Sequence, residues 1–248
     1  MQTLNGIERV VVPHHELPYE QRPITDFKHF DWSKATKWDC VSFARAAGFK
    51  ETGMSVNEVA LLYDLLEKKK PDTIVELGRN YGTSTRLFMA HILKGDDAML
   101  DSWDLKHWDG SIETMKENGY GFDRWDGETA AILEAEDAEG KIDALGVILR
   151  TAHSIKTPIP KNLEKGVDFL LIDTEHAIEN CLPEYCRWRE YLRSGAIIAF
   201  HDSTLPAVAR GIEMIIEMEQ SSRPGRIIRT YENERVDGFG IMALEWVG

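Results

Sequence analysis

Short apolar runs alternate with amphipathic segments along most of this chain of 248 residues. Val59, Leu62 and Leu66 recur at the spacing of an amphipathic helix. Pro71 would end that helix, and the run Thr73–Leu77 that follows is short and rich in β-branched residues, as in a buried strand. The same alternation continues, and it predicts seven strands, near residues 73–77, 98–105, 145–149, 167–173, 196–200, 226–231 and 239–246.

Strands that alternate with helices favour a parallel sheet covered by helices on both faces. We therefore predict an α/β fold with a doubly wound, mostly parallel, seven-stranded sheet and an antiparallel C-terminal strand. Gly195 is expected to end the helix before the fifth strand, because glycine commonly follows a helix. Ligands of such sheets bind at the carboxyl ends of the strands, so the residues at those ends are the candidates for a site.

The periodicity divides the chain into two parts. Residues 1–53 lack it and carry three prolines and several aromatic side chains, so we predict an irregular segment that wraps the main body. A lid over a pocket and an arm for dimerisation are alternatives for this segment. Residues 54–248 are predicted to form the main domain, with a polar, glycine-containing insertion at about residues 107–141.

Composition and charge exclude several classes of protein. The net charge is −13, and the densest basic run, Lys68–Lys70, ends a predicted helix, so we expect no binding to nucleic acid. No apolar run approaches the roughly 20 residues that span a bilayer, so we expect no membrane partner. The three cysteines are sparse and odd in number, and no secretory signal is visible at the start, which favours a cytoplasmic protein.

Two glycines follow the first predicted strand, in the run Glu76-Leu77-Gly78-Arg79-Asn80-Tyr81-Gly82. Glycine permits a tight turn and lets a ligand approach the backbone closely. The spacing is neither G-x-G-x-x-G nor that of a phosphate loop, so a nucleotide phosphate is disfavoured. A turn with a purely structural role is the alternative. Thr83 or Ser84 is expected to cap the next helix.

Polar residues also follow the second and third predicted strands. Asp104 ends the second strand, where a carboxylate can accept hydrogen bonds from both hydroxyls of a ribose. A solvated loop carboxylate is the alternative interpretation of Asp104. The third strand leads to His153 and Ser154.

The fourth and fifth strands carry the strongest chemical signal. Asp173 and His176 follow the fourth strand, and His201 and Asp202 follow the fifth. Clustered carboxylates repel unless a cation neutralises them, so we interpret Asp173, His201 and Asp202 as candidate metal ligands, for Mg²⁺ or another divalent cation. His176 would remove a proton from a bound hydroxyl. The alternatives are a backbone hydrogen bond from His201, an Asp202 cap on the following helix, and a His176 that only lines the pocket.

These motifs resemble those of class I methyltransferases that use S-adenosylmethionine (SAM). Glu-x-Gly-x-x-x-Gly after the first strand resembles their first motif. The pattern I-D-x-x-H, then a helix, an apolar strand and H-D-S, resembles the subgroup that includes the macrocin O-methyltransferase and cephalosporin hydroxylase types (methyltransferase family 24). The resemblance extends from Pro71 to Ser203. The chain departs from it at residues 193–196, where the family has P-G-G, and at His153, where many members carry an acid.

The resemblance implies a Rossmann-like fold and SAM as cofactor. We expect an O-methyltransferase that acts on a hydroxyl of a small molecule, a sugar or a secondary metabolite, with His176 and Asp173 as catalytic residues. Gly78→Val is expected to block SAM binding. A homo-oligomer is compatible with the sequence. The alternatives are a hydroxylase-like enzyme of the same fold, a non-catalytic binding or assembly protein, and, more weakly, an NAD dehydrogenase. The implied cofactor-binding residues are Glu76, Gly78, Tyr81, Gly82, Thr83, Ser84, Asp104, His153, Ser154 and Asp173.

Overall fold

A nine-stranded mixed sheet forms the centre of this computed structural model. The structure describes residues 2–4, 6–14, 30–45, 54–79, 82–95, 98–105, 146–223, 225–234 and 238–248. Its strands are β1 (Gln2–Leu4), β2 (Ile7–Val12), β3 (Thr73–Leu77), β4 (Met99–Asp104), β5 (Val147–Thr151), β6 (Val167–Ile172), β7 (Leu192–His201), β8 (Ile227–Asn233) and β9 (Ile241–Trp246). The helices within these ranges are α1 (Lys37–Arg45), α2 (Val56–Lys69), α3 (Thr83–Leu93), α4 (Ile178–Trp188) and α5 (Pro206–Ser222), besides short 3-10 turns. The predicted insertion at about residues 107–141 lies outside the described residues.

The order of the strands in the sheet is β1-β2-β8-β9-β7-β6-β3-β4-β5. Strands β3 to β7 pair in parallel, whereas β9 runs antiparallel to both β7 and β8. The chain passes from β3 outward to β4 and β5, and then returns to β6 on the other side of β3. This reversal creates a crevice at the carboxyl ends of β3 and β6, which is where doubly wound sheets bind their ligands. The predicted fold class is confirmed.

All seven predicted strands are present, and two more come from the N-terminal segment. Strand β2 pairs in parallel with β8, from Glu8 opposite Arg229 to Val12 opposite Asn233. Strand β1 then adds to β2 in antiparallel fashion. The predicted count of seven is therefore too low. The sequence pattern did not reveal these strands because β2 finds its partner more than 200 residues away, and no local signal encodes such a pairing.

Alternate residues of the central strands serve two separate apolar cores. Ile74, Phe169 and Ile197 face the side on which α1, α2 and α3 pack. The next residues along each strand, such as Leu170 and Ile198, face the side of α4 and α5. Because successive side chains of a strand point to opposite faces, a strand buried on both faces is apolar throughout. This explains why the central strands β3, β6 and β7 appear in the sequence as mostly apolar runs.

The region around Gly195 differs from the prediction. Helix α4 ends at Trp188, and Gly195 lies within β7, with a φ of +86°. Leu192 pairs with Val167, and the register shifts before Phe169 pairs with Ile197, so the extra residues of β7 form an irregularity in which glycine takes the left-handed conformation. Pairing with β6 thus extends the strand toward the helix, which residue preferences alone do not show.

Other features agree with the sequence. Cys40, Cys181 and Cys186 are all unpaired thiols. The basic residues Lys68 and Lys69 lie in the last turn of α2 and contact Tyr231 and Glu245. Among the described residues, none of the helices has the length and apolar character that crossing a membrane requires.

Candidate functional site

The ends of β3 and β6 touch at Gly78 and Asp173. The Gly78 N–H donates to the carbonyl of Trp103 at 2.8 Å, and the Asp173 N–H donates to the carbonyl of Leu77 at 2.8 Å. Gly78 has a φ of +89°, and a Cβ atom at this position would lie only 1.9 Å from the Asp173 carbonyl oxygen. Glycine is therefore needed here for the packing of two strands. Gly78→Val, which we expect to block SAM binding, would clash with Asp173 even without cofactor, so this substitution does not isolate an effect on SAM binding.

Glu76 lies beneath the glycine turn and is completely buried. Its carboxylate accepts hydrogen bonds from the hydroxyls of Ser84 (2.5 Å), Thr85 (2.7 Å) and Ser102. Burial raises the pKa of Glu76, while these hydroxyls oppose the shift. Glu76 therefore joins β3 to β4 and to the start of α3. Its carboxylate is directed into the protein, so its effect on a cofactor would come through the loop that it supports.

The start of α3 places buried polar side chains next to this turn. Gly82 is the N-cap residue, with a φ of +81°, and neither Thr83 nor Ser84 caps the helix with its side chain. Ser84 donates to Glu76 instead. Within the part of the chain that the structure describes, the buried Thr83 hydroxyl has no hydrogen-bond partner. The predicted cofactor residue Tyr81 lies outside the described residues.

Asp104 lies at the tip of β4, beside the same turn. One oxygen of its carboxylate accepts the Arg79 backbone N–H at 2.9 Å. The Arg79 side chain is buried and donates to the carbonyl of Ser102 at 2.9 Å. The carboxylate of Asp104 is thus fixed at the edge of the crevice, two strands from Asp173.

His153 and Ser154 form the turn after β5, and their polar atoms are used within the protein. The His153 Nδ1 accepts the Ile155 N–H at 3.1 Å. The Ser154 hydroxyl donates to Glu184 of α4, and the other oxygen of Glu184 accepts the Thr174 hydroxyl at 2.7 Å. Glu184 therefore connects the turns that follow β5 and β6. The sequence analysis did not identify it, because an acid on an amphipathic helix is normally solvated.

Glu184 is expected to make stability depend on pH. Burial raises its pKa to about 7, against the hydrogen bonds from Ser154 and Thr174. Between the ordinary value of 4.5 and about 7, the folded protein keeps a proton that the unfolded chain has lost, so wild-type stability falls as pH rises. Glu184→Gln removes this titration. Wild type should therefore lose about 2–3 kcal/mol of unfolding free energy between pH 4.5 and 8 because of Glu184, and the variant should not show this loss. Urea denaturation of both proteins across this pH range measures the difference. Parallel stability curves for the two proteins would contradict this.

A cluster of charged side chains occupies the ends of β6 and β7. The His201 Nδ1 lies 3.0 Å from the Asp173 Oδ1 and 3.3 Å from the Asp202 Oδ2. One ligand atom from each of these three residues lies within 4.8 Å of the others, a spacing that could hold a metal ion. The Nδ1 of His201 thus faces two carboxylates and not a backbone group, which was the alternative interpretation of this residue.

His176 completes the cluster from the loop after β6. Its Nε2 lies 2.5 Å from the Asp202 Oδ2, while 55% of its side chain is exposed. Helix α5 has Leu205 as its N-cap residue and has no side-chain cap, so Asp202 does not cap it. Instead Asp202 adopts a φ of +56°, a left-handed conformation that costs a non-glycine residue about 1 kcal/mol or more. Strain of this kind is concentrated at functional sites.

The electrostatics of the cluster follow from its burial. Desolvation by itself would lower the pKa of His201, but Asp173, Asp202 and Glu58 outweigh it and raise the pKa to about 12. Burial raises the pKa of Asp173, and the positive charge of His201 opposes that shift. The carboxylates of Asp173, Asp202 and Glu58 therefore gather negative charge around the ring of His201, whose side chain is 10% exposed.

Glu58 is a member of this cluster that the sequence analysis missed. It lies in the first turn of α2, is 1% exposed, and places its Oε1 3.7 Å from the His201 Nε2. The sequence Ser55-Val56-Asn57-Glu58 has the spacing of a capping box, and this would have located the helix start. Nothing in that spacing indicates that Glu58 also reaches a histidine 143 residues later.

Comparisons with known proteins agree with this geometry. A family model described as a methyltransferase domain matches residues 75–203, just over half of the chain. The O-methyltransferase TomG from Streptomyces achromogenes, solved with SAM, is similar in structure, with a TM-score of 0.53 and 16% identity over 85% of this chain and 90% of that chain. An O-methyltransferase from Bacillus cereus, solved with S-adenosylhomocysteine (SAH), gives 0.50 and 16% over 84% and 90%. A comparison with curated protein sequences gives no significant match.

At these low identities the structural likeness shows the fold, while the family model shows the relationship. The match to the family model runs from within β3 to just past the end of β7. It therefore contains the glycine turn, Asp104 and the Asp173–His201–Asp202 cluster. The chain therefore belongs to this family and is a SAM-dependent methyltransferase of class I with a Rossmann-like fold.

Proposed function

We propose that this protein transfers a methyl group from SAM to a hydroxyl of a small molecule, a sugar or a secondary metabolite. The observation that carries the proposal is the position of the Asp173–His201–Asp202 cluster directly beside the Gly78 turn. The turn is where the first motif would place the cofactor, and the cluster has the groups needed to hold and deprotonate a hydroxyl. Both solved structures named above are O-methyltransferases, which supports oxygen as the acceptor atom.

The residues around the turn fit SAM. The start of α3 provides N–H groups and the Thr83 hydroxyl for the methionine carboxylate of the cofactor, since helix N-termini favour anions. Asp104, at the tip of β4, is placed to accept the ribose hydroxyls. When bound, SAM would supply a methyl group on a positively charged sulfur. Glu76, Ser84 and Ser154 would act indirectly, because their side chains already bond to other parts of the protein.

The donor set of the cluster fits a divalent cation. Carboxylates suit Mg²⁺ and Mn²⁺, whereas an imidazole nitrogen is more typical of transition metals such as Zn²⁺ or Fe²⁺. Asp173, Asp202 and the Nδ1 of His201 would be the ligands, and a cation bound here would displace the proton that His201 otherwise carries on Nδ1. A cation here would lower the pKa of a hydroxyl bound beside it.

His176 is proposed as the general base. Its Nε2 lies against Asp202, so the carboxylate favours the tautomer that carries the proton on Nε2. The Nδ1 lone pair is then the one that takes the proton of the acceptor hydroxyl. Asp202 orients the ring in this arrangement, as a carboxylate does for a catalytic histidine in other enzymes.

Ligand binding and methyl transfer test the proposal together. Thermal denaturation is expected to show a higher midpoint with SAM or SAH and no change with NAD, because a ligand that binds only the folded state stabilises it. Radiolabelled SAM with a panel of hydroxylated sugars and phenols should then yield a methyl ether. Stabilisation by neither SAM nor SAH would refute the cofactor assignment. SAM binding with no transfer to any acceptor would favour the non-catalytic alternative.

Asp202→Asn is expected to weaken divalent-cation binding by about 100-fold and to leave SAM affinity unchanged. Asparagine tolerates the left-handed backbone of this position, so the change removes a charged ligand without adding strain. Isothermal titration with Mg²⁺, Mn²⁺ and Zn²⁺ measures the effect. Asp168→Asn is the matched control, because Asp168 lies on the neighbouring strand β6 and bonds to Thr73 and Arg193 at the opposite end of the sheet. Equal cation affinity in the two variants would exclude Asp202 as a ligand.

A further inference from the structure

The carboxylate of Glu58 joins three parts of the fold at the candidate site. It accepts the backbone N–H of Ser55 at 2.5 Å, which caps α2, and the backbone N–H of Gly240 at 2.5 Å, just before β9. Its Oε1 also lies 3.7 Å from the His201 Nε2. A helix cap alone needs only the first of these contacts. The other two are directed toward the end of β7, where the charged cluster lies.

The segment Gly238–Gly240 lies between Glu58 and the loop that follows Asp202. The Gly240 carbonyl accepts the Ser203 N–H at 3.1 Å, and the Phe239 carbonyl accepts the Thr204 N–H at 2.9 Å. On the other side, a Cβ atom at Gly238 would lie 2.6 Å from the Glu58 Oε2. The segment is therefore packed tightly against the carboxylate, and its position depends on where that carboxylate lies.

The imidazole of His201 is held from both ends. Its Nδ1 faces Asp173 and Asp202, and its Nε2 is buried without a hydrogen bond inside the described part of the chain. Among the described residues, the Glu58 carboxylate lies 3.7 Å from that nitrogen and is 1% exposed. An anion at this distance favours the ring orientation that directs Nε2 toward it, and so directs Nδ1 toward the two aspartates.

We propose that Glu58 is a positioning residue: it holds the ring of His201 toward Asp173 and Asp202 and fixes the Gly238–Gly240 segment beside them. Its effect on catalysis rests on the function proposed above, whereas its effect on the His201 ring does not. Partners that orient a metal ligand typically change metal affinity or activity 10- to 100-fold when they are removed.

Three variants test this role. Glu58→Gln removes the negative charge of the side chain. Gly238→Ala keeps that charge, but the added methyl group would displace the Glu58 carboxylate. Ser55→Ala is the control, because it breaks the other half of the capping box, the 3.2 Å bond from the Glu58 N–H, and touches neither His201 nor Gly240. In the histidine side-chain ¹H–¹⁵N spectrum, with His201 assigned by its loss in His201→Asn, we expect one sharp set of His201 signals in wild type and Ser55→Ala. Glu58→Gln and Gly238→Ala should give broadened or doubled signals.

Kinetics and Mn²⁺ titration provide a second readout. Glu58→Gln and Gly238→Ala should lower kcat or Mn²⁺ affinity about 10- to 100-fold at unchanged SAM affinity, and Ser55→Ala should lower only the melting temperature. Single sharp His201 signals in all variants would overturn the proposal, even if the wild type is an active methyltransferase. If the wild type is inactive but the His201 signals double in Glu58→Gln, the proposed function is overturned. The role of Glu58 is then supported by the same result. If Glu58→Gln does not fold, Gly238→Ala decides the question alone.

Discussion

Gly78→Ala is expected to destabilise the protein by about 3–5 kcal/mol. Two effects add at this position. The φ of +89° is unfavourable for any residue with a Cβ, and the new methyl group would lie 1.9 Å from the Asp173 carbonyl oxygen. That oxygen belongs to the backbone directly after β6, where the Asp173 N–H is bonded to the Leu77 carbonyl, so it cannot move without displacing the junction of β3 and β6. Urea denaturation followed by circular dichroism measures the loss.

Gly195→Ala separates the two effects. Gly195 has almost the same φ, +86°, and no atom within 4 Å of the position that a Cβ would occupy. It therefore reports the backbone strain alone, about 1–2 kcal/mol. The difference between the two losses of unfolding free energy gives the cost of the clash between a Cβ at position 78 and the Asp173 carbonyl. If both substitutions destabilise the protein equally, the close packing of Gly78 on Asp173 is wrong, and with it the position of the cofactor turn beside the charged cluster.

His176→Gln is expected to lower kcat by about 10²–10⁴-fold, the usual contribution of a general base. More than half of the His176 side chain is exposed, and its close contact among the described residues is with Asp202, so the melting temperature should change little. SAM affinity should also remain as in wild type, since His176 lies on the acceptor side of the proposed site. Steady-state kinetics with the best acceptor and isothermal titration with SAM make the measurement.

Glu175→Gln is the matched control for His176. Glu175 precedes His176 in the same loop, and its carboxylate accepts a hydrogen bond from Asn180 at 2.8 Å. It tests whether a change in this loop is enough to impair the reaction, and we expect it to keep kcat near the wild-type value. Were His176→Gln to retain full activity, another group would have to take the proton, and the proposal for His176 would be abandoned.

The sequence by itself predicted most of the fold, because the signals involved are local. The run Thr73–Leu77 is buried throughout and mostly apolar because its apolar side chains enter two cores, and proline and glycine mark its ends. Parallel strands also place their carboxyl ends along one edge of a sheet. Residues at the tips of β6 and β7, among them Asp173 and His201, could therefore be expected to meet, and the structure places them 3.0 Å apart.

The tertiary structure alone decided what these residues contact. Nothing local shows that β2 joins β8, that Glu76 is directed inward beneath three hydroxyls, or that Glu58 reaches His201. Each of these contacts joins elements whose separation is set by sheet order, register and helix packing. Periodicity in the sequence indicates which face of an element is buried, but it does not indicate which distant element covers that face. For this reason the chemistry of the strand ends could be predicted from the chain, whereas the side chains that support it could not.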